Sequence, residues 1–182
     1  MGRLYYITGG AGSGKSEYAE QLAERLHTEL GGPLYYVATM NPAPRDADAA
    51  ARIAKHQKRR AGRGYTTLEC PTDIAQLRAQ ALKNAVFLLE DLTNLYANEV
   101  YGTSGHPHEI VAPLLELTQQ AGALIIVANE LYSDGIDYGP ETDRFLRDLA
   151  GLAAELSATA DQVIEVVYGI PVQLKGVLCS IH

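Results

Sequence analysis

The sequence has few cysteines, fewer basic than acidic side chains and no long apolar run, and each of these shortages excludes a class of protein. The two cysteines, Cys70 and Cys179, lie far apart without metal-ligand spacing, so we expect buried free thiols in a reducing compartment. The 15 basic and 22 acidic residues give a net charge of −7, which argues against a general nucleic-acid-binding surface. Neither a signal-peptide pattern nor an apolar run of membrane length is present, so we expect a cytoplasmic protein.

What remains is typical of a globular domain. A chain of 182 residues is long enough for a substantial core, and 47% hydrophobic with 20% charged residues argues against disorder. The sequence contains no repeat, low-complexity segment or interdomain linker. We therefore expect one domain that covers residues 1–182.

Apolar runs of strand type alternate with segments of helical spacing. The strand-type runs are residues 4–8, 34–38, 86–90, 124–127 and 163–168. The helical patterns are residues 15–29, 46–60, 73–83, 92–100, 108–121 and 141–158. This alternation predicts a mostly parallel sheet with helices on both faces. A last strand, residues 172–175, follows a turn so short that it must run antiparallel to its predecessor.

The most informative stretch follows the first predicted strand. Residues 9–16 read Gly-Gly-Ala-Gly-Ser-Gly-Lys-Ser, which fits the phosphate-binding pattern G-x-x-x-x-G-K-[ST]. Glycines let backbone N–H groups turn inward around phosphate oxygens, and the following helix directs its positive dipole end at them. We expect Lys15 to reach the β- and γ-phosphates and Ser16 to ligate Mg²⁺. Because strand, loop and helix occur in the required order, a P-loop NTPase-like α/β fold is favoured over a plain glycine-rich turn.

A second informative stretch is basic in an acidic chain. Residues 52–63 contain six positive charges and no acid. On a helix, one face would carry Arg52, His56, Arg59 and Arg60. Neighbours of like charge repel one another unless an anion such as a triphosphate lies against them. The alternative is an ordinary solvated basic face.

His56 lies in the middle of this stretch. The neighbouring cations favour its neutral imidazole, which is a competent nucleophile at physiological pH. Beside a phosphate loop it could attack an α-phosphorus and form a phosphoramidate. The alternative is a surface or helix-capping histidine.

Carboxylates follow the third apolar run. Glu90 ends that run, where an acid is well placed to hold Mg²⁺ or to orient a substrate hydroxyl. Asp91 is the second choice for this role, and an ordinary helix-capping carboxylate is the alternative for Glu90. The carboxyl ends of parallel strands share one sheet edge, so the loops after residues 8, 38, 90 and 127 should converge. We interpret His106 and His108 as residues of a plain loop.

Taken together, these stretches resemble the bifunctional adenosylcobinamide kinase and adenosylcobinamide-phosphate guanylyltransferase family of cobalamin assembly. The phosphate loop alone is shared by many families. The Arg-Ile-x-x-His block after it and the Asn-Glu after the fourth predicted strand are more specific. The resemblance is carried by residues 8–16, 36–39, Arg52-Ile53 with His56 and Arg60, Glu69, Glu90, Asn129-Glu130 and 169–171.

The resemblance implies two reactions and a set of nucleotide contacts. ATP or GTP phosphorylates adenosylcobinamide. GTP then guanylylates a histidine, which releases pyrophosphate, and the GMP passes from the histidine to adenosylcobinamide phosphate. His56 corresponds to that histidine, Lys15 is catalytic, Ser16 and Glu90 hold Mg²⁺, and the resemblance also implies a homotrimer. The implied nucleotide contacts are Gly9, Gly10, Ala11, Gly12, Ser13, Gly14, Lys15, Ser16, Ala38, Thr39, Met40, Gln57, Lys58, Arg59, Arg60, Glu69 and Glu90.

The chain departs from the family pattern in a few places, and two other functions compete. Gly12 replaces an arginine that is usual in the phosphate loop, and residues 139–142 and 153–155 differ from the family as well. A P-loop kinase for another small alcohol would use only the phosphate loop, without guanylyl transfer. A nucleotide-sensing module would need none of the catalytic residue types that accompany the loop here.

Overall fold

A computed structural model describes residues 2–40, 54, 58, 60–102, 109–133 and 135–177. Seven strands form one sheet in the order β3-β2-β4-β5-β1-β6-β7. All described neighbours pair in parallel except β6 and β7, which form an antiparallel hairpin as predicted. The strands are β1 (Arg3–Thr8), β2 (Leu34–Ala38), β3 (Tyr65–Glu69), β4 (Val86–Glu90), β5 (Ala123–Val127), β6 (Gln162–Val167) and β7 (Ile170–Lys175).

The helices begin and end at residues whose chemistry explains the boundary. Gly31 follows the first helix in a left-handed conformation, and its N–H donates to His27 O at 2.9 Å. Pro140 occupies the start of the last helix, where a missing N–H costs nothing. The helices are α1 (Lys15–Leu30), a short 3₁₀ helix (Ile74–Gln80), α2 (Leu92–Tyr101), α3 (Val111–Gln120) and α4 (Pro140–Thr159).

The central strands are apolar throughout because both faces of the sheet are covered. Side chains alternate along each strand, so Tyr5 and Leu88 pack under α1 with Leu22. On the opposite face, Phe87 and Leu124 pack with side chains of α2, α3 and α4. This is the burial pattern expected of a parallel sheet between two helical layers.

Two elements differ from the sequence-based expectation. The strand β3 (Tyr65–Glu69) was not predicted, because it is an edge strand whose Thr66 and Thr67 are exposed and polar. The helix predicted at 73–83 is instead the shorter 3₁₀ helix. Asp73 before it has φ +51°, and its N–H donates to Glu99 Oε1 at 2.7 Å, which fixes a turn there.

Other expectations fall partly outside the described residues. Of the helix predicted at 46–60, the described residues Ala54, Lys58 and Arg60 are helical. Cys70 is a buried free thiol, as expected, whereas Cys179 and the pair His106 and His108 lie outside the described residues. Within the part of the chain that is described, no helix is long and apolar enough to cross a membrane.

Ion pairs attach the end of the basic stretch to α1. Arg63 Nη1 lies 3.0 Å from Glu20 Oε2, and Arg63 Nε lies 2.7 Å from Glu24 Oε1. The Tyr65 hydroxyl donates to Glu20 O at 3.1 Å. The Glu20 carboxylate is almost completely buried, so its bond to a guanidinium offsets a real desolvation cost. These contacts place the end of the basic stretch on the α1 face of the sheet.

We expect Arg63→Ala to lower the free energy of unfolding by about 1–3 kcal/mol, because the buried Glu20 carboxylate loses its charged partner. Arg3→Ala is the matched control, since it breaks the exposed Arg3–Glu29 pair and should cost about 0.5 kcal/mol or less. Urea unfolding followed by circular dichroism measures both. Equal losses in the two variants would contradict this account of the Arg63 contacts.

Candidate active site

Loops from several strands converge at the carboxyl edge of the sheet. Hydrogen bonds join the loop after β5 to β1 and to the phosphate loop: Ala128 N donates to Ile7 O at 2.9 Å, and Glu130 N donates to Gly9 O at 3.2 Å. The chain after β2 meets the end of β4, where Thr39 N donates to Glu90 O at 3.3 Å. The predicted convergence of these loops is therefore confirmed among the described residues.

The phosphate loop has a shape that requires glycine. Gly9 has φ +150°, and a Cβ there would lie 2.5 Å from Val166 O and 2.8 Å from Ser13 Oγ. Gly14 caps the N-terminus of α1 with φ +93°, and its Cβ would approach Gly169 Cα to 3.2 Å. Gly169 N also donates to Ser13 O at 2.7 Å. The β6–β7 hairpin thus packs directly against the loop.

Gly12, which stands where an arginine is usual in the family, has a backbone conformation that favours glycine. Gly12 has φ +71°, a left-handed conformation that glycine adopts without steric cost. A Cβ built at this position meets no heavy atom within 4 Å. The position is exposed and open, so a missing arginine there removes a cation without disturbing the packing of the loop.

Lys15 lies between the loop and two acids. Its ammonium group donates to Gly10 O at 3.1 Å, and the side chain is buried. Burial lowers the pKa of the Lys15 ammonium, while the nearby carboxylates of Asp91 and Glu90 act in the opposite direction. The two acids therefore help keep a charged ammonium beside the loop, where a phosphate would compete for it.

Asp91 uses both carboxylate oxygens to hold neighbouring elements together. Oδ1 accepts from Asn94 N at 2.7 Å and caps α2, and Oδ2 accepts from Asn129 Nδ2 at 3.1 Å. Burial raises the pKa of the Asp91 carboxyl, against these hydrogen bonds and the charge of Lys15. The Thr39 hydroxyl donates to Asp91 O at 2.8 Å and accepts from Asp91 N at 2.7 Å. Asp91 thus links β2, α2 and the loop after β5.

Glu90 points to the other side of the sheet. It continues the alternation of Val86 and Leu88, whose side chains lie on the α1 face. Its Oε2 accepts from the Tyr36 hydroxyl at 3.3 Å, and the side chain is partly exposed. Glu90 thus lies on the α1 face of the sheet, and its charge also acts on Lys15.

Arg60 completes the charged cluster on this face. Its guanidinium Cζ lies 3.2 Å from the centroid of the Tyr36 ring, and the residue is only 6% exposed. Within the described residues, Arg60 Nε and Nη1 have no hydrogen-bond partner. A buried guanidinium with unused donors is an unusual arrangement unless an anion binds there.

The donor types at the site fit Mg²⁺. The Ser16 hydroxyl at the start of α1 and the Glu90 carboxylate are hard oxygen ligands. Among the described residues, no group of three or more His, Cys, Asp and Glu side chains could hold a metal by itself. An ion held by Ser16 and Glu90 would therefore complete its shell with phosphate oxygens and water, as Mg²⁺ commonly does.

A cavity of about 350 Å³ opens beside the loop after β5. Glu130 forms one side of it, with Oε1 accepting from Tyr132 N at 3.1 Å and Oε2 from Ser133 Oγ at 2.7 Å. The remaining lining combines apolar groups with hydroxyls. The lining residues are Glu130, Leu131, Ser133, Tyr138, Thr142 and Leu146.

The structure brings together many, but not all, of the residues predicted from the sequence. Residues 9–16, 38–40 and Glu90 lie at the carboxyl edge, and Arg60 packs on the ring of Tyr36 in β2. Glu69 lies at the exposed end of β3, and Lys58 is exposed. His56, Gln57 and Arg59 lie outside the described residues. Sequence reasoning did not assign Tyr36 or Asn129 to the site individually. Tyr36 contacts Arg60 and Glu90, which lie 24 and 54 positions away in the sequence. Asn129 contacts Asp91, which lies 38 positions away. A local sequence pattern does not indicate contacts between residues so far apart.

The sheet order, the glycine loop and the lysine at the start of α1 define a P-loop nucleotide-binding α/β protein. Flagellar accessory protein FlaH from Methanocaldococcus jannaschii superposes with a TM-score of 0.53 at 14% identity, over 96% of this chain and 78% of that chain. A second solved structure, an ATPase domain, gives a TM-score of 0.53 at 9% identity, over 90% of this chain and 68% of that chain. At these identities the likeness concerns the fold alone.

Sequence comparison is more specific. The profile of the family described as cobinamide kinase / cobinamide phosphate guanyltransferase matches residues 5–174, and the chain belongs to this family. The bifunctional adenosylcobalamin biosynthesis protein CobP of Pseudomonas aeruginosa is 32% identical over 176 residues, 93% of this chain and 96% of that protein. The corresponding protein CobU of Escherichia coli K12 is 32% identical over 191 aligned positions, 94% of this chain and 99% of that protein. The enzyme family expected from the sequence is confirmed.

We expect Gly9→Ala to lower the stability of the ligand-free protein by about 2 kcal/mol, because its Cβ would collide with backbone at a position of positive φ. Gly10→Ala is the control: a Cβ there meets nothing within 4 Å, and the change should be close to neutral. Thermal unfolding without nucleotide measures both variants. If Gly9→Ala is as stable as Gly10→Ala, the loop is not held as described.

Proposed function

We propose that this chain, as one domain, carries out both reactions of its family at the site described above. It phosphorylates adenosylcobinamide with ATP or GTP, and it transfers GMP from GTP to adenosylcobinamide phosphate through guanylylated His56. The observation that carries the proposal is the cluster on the α1 face, where Lys15 bonds the phosphate loop, the charge of Glu90 acts on Lys15, and the buried Arg60 packs on Tyr36, which bonds Glu90. A binding module that only senses nucleotide would not need this set.

In the first reaction, the aminopropanol hydroxyl oxygen of adenosylcobinamide attacks the γ-phosphorus. The bond from this phosphorus to its bridging oxygen breaks, the nucleoside diphosphate leaves with the electron pair, and the hydroxyl proton passes to solvent. Lys15 stabilises the charge on the phosphate oxygens, and the loop N–H groups orient them. Bound Mg²⁺, with Ser16 and Glu90 as its protein ligands, would neutralise charge on the β- and γ-phosphates.

In the second reaction, an imidazole nitrogen of His56 attacks the α-phosphorus of GTP and pyrophosphate leaves. A phosphate oxygen of adenosylcobinamide phosphate then attacks the same phosphorus. The phosphorus–nitrogen bond breaks, which restores the imidazole and gives adenosylcobinamide-GDP. Each step forms one phosphorus bond and breaks one, so no further reactant is needed.

Chain connectivity supports the assignment of His56. Only three residues separate His56 from Arg60, so their Cα atoms lie within about 14 Å of each other in any conformation. Arg60 is packed on Tyr36, and Arg63 is bound to Glu20 of α1, so this part of the chain is fixed on the same face of the sheet as α1, the helix that follows the phosphate loop. The other proposed nucleotide contacts of this segment are Gln57, Lys58 and Arg59, and those of the strand ends are Ala38, Thr39, Met40 and Glu69.

We place the acceptor alcohol on the side of the phosphate loop where the cavity lies. Glu130 lines that cavity, and its backbone N–H donates to Gly9 O, so the cavity adjoins the loop. A volume of about 350 Å³ suits the aminopropanol arm of the corrinoid rather than its whole macrocycle. The mixture of apolar groups and hydroxyls suits an arm that carries methyl and amide groups.

We expect His56→Ala to abolish covalent labelling by GTP that carries a label on its α-phosphate, while phosphoryl transfer to adenosylcobinamide continues. The reason is that only the second reaction uses the imidazole as a nucleophile. Labelling is measured by denaturing gel electrophoresis, and phosphoryl transfer by chromatography of the corrinoid products. A wild-type protein that takes no label would contradict the guanylyl-transfer half of the proposal.

Lys15→Ala is the companion variant, and it should slow both reactions, phosphoryl transfer by about 10²–10³-fold, because the lysine stabilises phosphate charge. A kinase for a different small alcohol would phosphorylate another acceptor and leave adenosylcobinamide unchanged. GTP turnover with and without adenosylcobinamide separates these two functions and also identifies a sensing module, which would show no stimulated turnover.

We also propose that the protein is a cytoplasmic homotrimer. The β6–β7 hairpin supports an assembled form, since its outer strand exposes apolar side chains at a free sheet edge. Tyr168 is 93% exposed, Ile170 65% and Leu174 59%. Isolated apolar residues are common on surfaces, but a row of them along an edge strand is typical of a contact surface.

We expect light scattering to give three times the 19.7 kDa chain mass, and Ile170→Asp to reduce it toward the mass of one chain. The introduced charge would have to be buried in a subunit contact that includes the hairpin. Leu82→Asp places the same charge on a leucine that is 53% exposed elsewhere, and it should leave the mass unchanged. A wild-type mass of one chain would contradict the proposed trimer.

A further inference from the structure

Tyr36 contacts two members of the charged cluster at once. The face of its ring lies 3.2 Å from the Arg60 guanidinium carbon, and its hydroxyl donates to Glu90 Oε2 at 3.3 Å. The side chain is 5% exposed and comes from the middle of β2, a strand that hydrogen-bonds to β4 in fixed register. Tyr36 therefore joins the end of the basic stretch to the acid at the end of β4.

The contact with Arg60 leaves the guanidinium edge available. A guanidinium that stacks on an aromatic ring presents its flat face to the ring and directs its N–H groups outward in the plane. Arg60 Nε and Nη1 are buried, and within the described residues they have no hydrogen-bond partner. Both nitrogens therefore have N–H groups free for an acceptor in the plane of the guanidinium, and phosphate oxygens are acceptors that suit it.

The contact with Glu90 is a hydrogen bond from a hydroxyl that is held in place by its ring. The Tyr36 hydroxyl donates to Glu90 Oε2 at 3.3 Å, and the ring that carries it is buried in the apolar cluster under α1. A hydrogen bond to a carboxylate restricts the orientation of that group. Glu90 is partly exposed at the end of its strand, so this hydrogen bond contributes to its orientation.

A purely structural role for Tyr36 is the competing explanation. Its ring packs in the apolar cluster under α1 and meets the Tyr65 ring edge-on, with centroids 6.4 Å apart. Those contacts account for the burial of the ring. They do not explain why Arg60, with unused donors, lies on the face of the ring, or why the hydroxyl is directed at Glu90. Phe or Leu would fill the same apolar space.

We propose that Tyr36 is a positioning residue for both halves of the site, holding Arg60 toward the nucleotide phosphates with its ring and Glu90 toward the phosphate loop with its hydroxyl. This inference rests on the proposed function, in which Arg60 and Glu90 act on the nucleotide. It adds a residue that reaches neither the phosphates nor the acceptor itself. The two parts of one side chain have separate effects, so they can be removed separately.

The hydroxyl is tested with Tyr36→Phe, which keeps the ring. Calorimetry gives the dissociation constant of GTP in EDTA and in Mg²⁺, and their ratio is the gain in affinity due to the cation. We expect Tyr36→Phe to leave the EDTA value unchanged and to reduce the gain about tenfold, in line with the loss of a bond to a charged group. In a Glu90→Gln background, Tyr36→Phe should have no further effect on the gain, because the hydroxyl acts through that carboxylate.

The ring is tested with Tyr36→Leu, which removes both contacts. We expect GTP binding in EDTA to weaken about five- to tenfold, in line with the loss of a desolvated cation–π contact. Arg60→Lys keeps the charge but loses the flat, two-donor geometry, and it should weaken binding similarly. Tyr36→Leu should then have no additional effect in the Arg60→Lys background.

Three outcomes would overturn the inference. The first is that Tyr36→Phe and Tyr36→Leu weaken GTP binding in EDTA equally. The second is that the effects of the two substitutions add in either double variant. The third is that Tyr36→Leu weakens binding of adenosylcobinamide phosphate and leaves GTP binding unchanged. Thermal unfolding of each variant shows whether it is folded, and Tyr36→Phe remains decisive if Tyr36→Leu is not. All of these measurements are equilibrium binding constants and need no covalent labelling. A wild-type protein that takes no label would therefore contradict the proposed function, and the binding constants would still test the role of Tyr36.

Discussion

Backbone packed against backbone at Gly9 and Gly14 is the constraint on which the site depends. The phosphate loop can present its N–H groups inward only if the chain turns through conformations of positive φ, and neighbouring backbone occupies the space that side chains would need. Hydrogen bonds from Gly169 to Ser13 and from Glu130 to Gly9 fix the loop from two sides. Strand order makes this arrangement available, because β1 lies between β5 and β6, whose following segments supply those two donors.

The two acids at the end of β4 have different contacts. Asp91 has a structural role: its oxygens cap α2 and hold Asn129, and Thr39 bonds its backbone. On the α1 face, Lys15 bonds Gly10 of the loop, and Glu90 accepts from Tyr36, on whose ring the buried Arg60 guanidinium packs. Adjacent acids in the sequence therefore make different contacts: Glu90 is the last residue of β4, whereas Asp91 is the N-cap of α2.

The sequence was sufficient where local chemistry determines structure. Apolar runs placed the five central strands and the hairpin, and glycine spacing placed the phosphate loop, because burial and backbone conformation leave direct traces in residue type. It was insufficient at β3, whose Thr66 and Thr67 face solvent and whose strand state depends on pairing with β2. The 3₁₀ helix at Ile74–Gln80 has the composition of an α-helix, and the bond between Asp73 and Glu99 that shapes its start spans 26 residues. The contacts of Tyr36 could not be predicted for the same reason, because they join segments that are distant in the sequence and meet only in the folded protein.

The β6–β7 hairpin connects the exterior of the molecule to its phosphate loop. Its turn carries the solvent-facing Tyr168, and the next residue, Gly169, donates the hydrogen bond that fixes Ser13. A macromolecule that docks on the outside of this turn and displaces it would necessarily change the shape of the anion cradle. Thermodynamic linkage makes the effect mutual, so ligand occupancy of the cradle would alter the strength of that docking by the same factor.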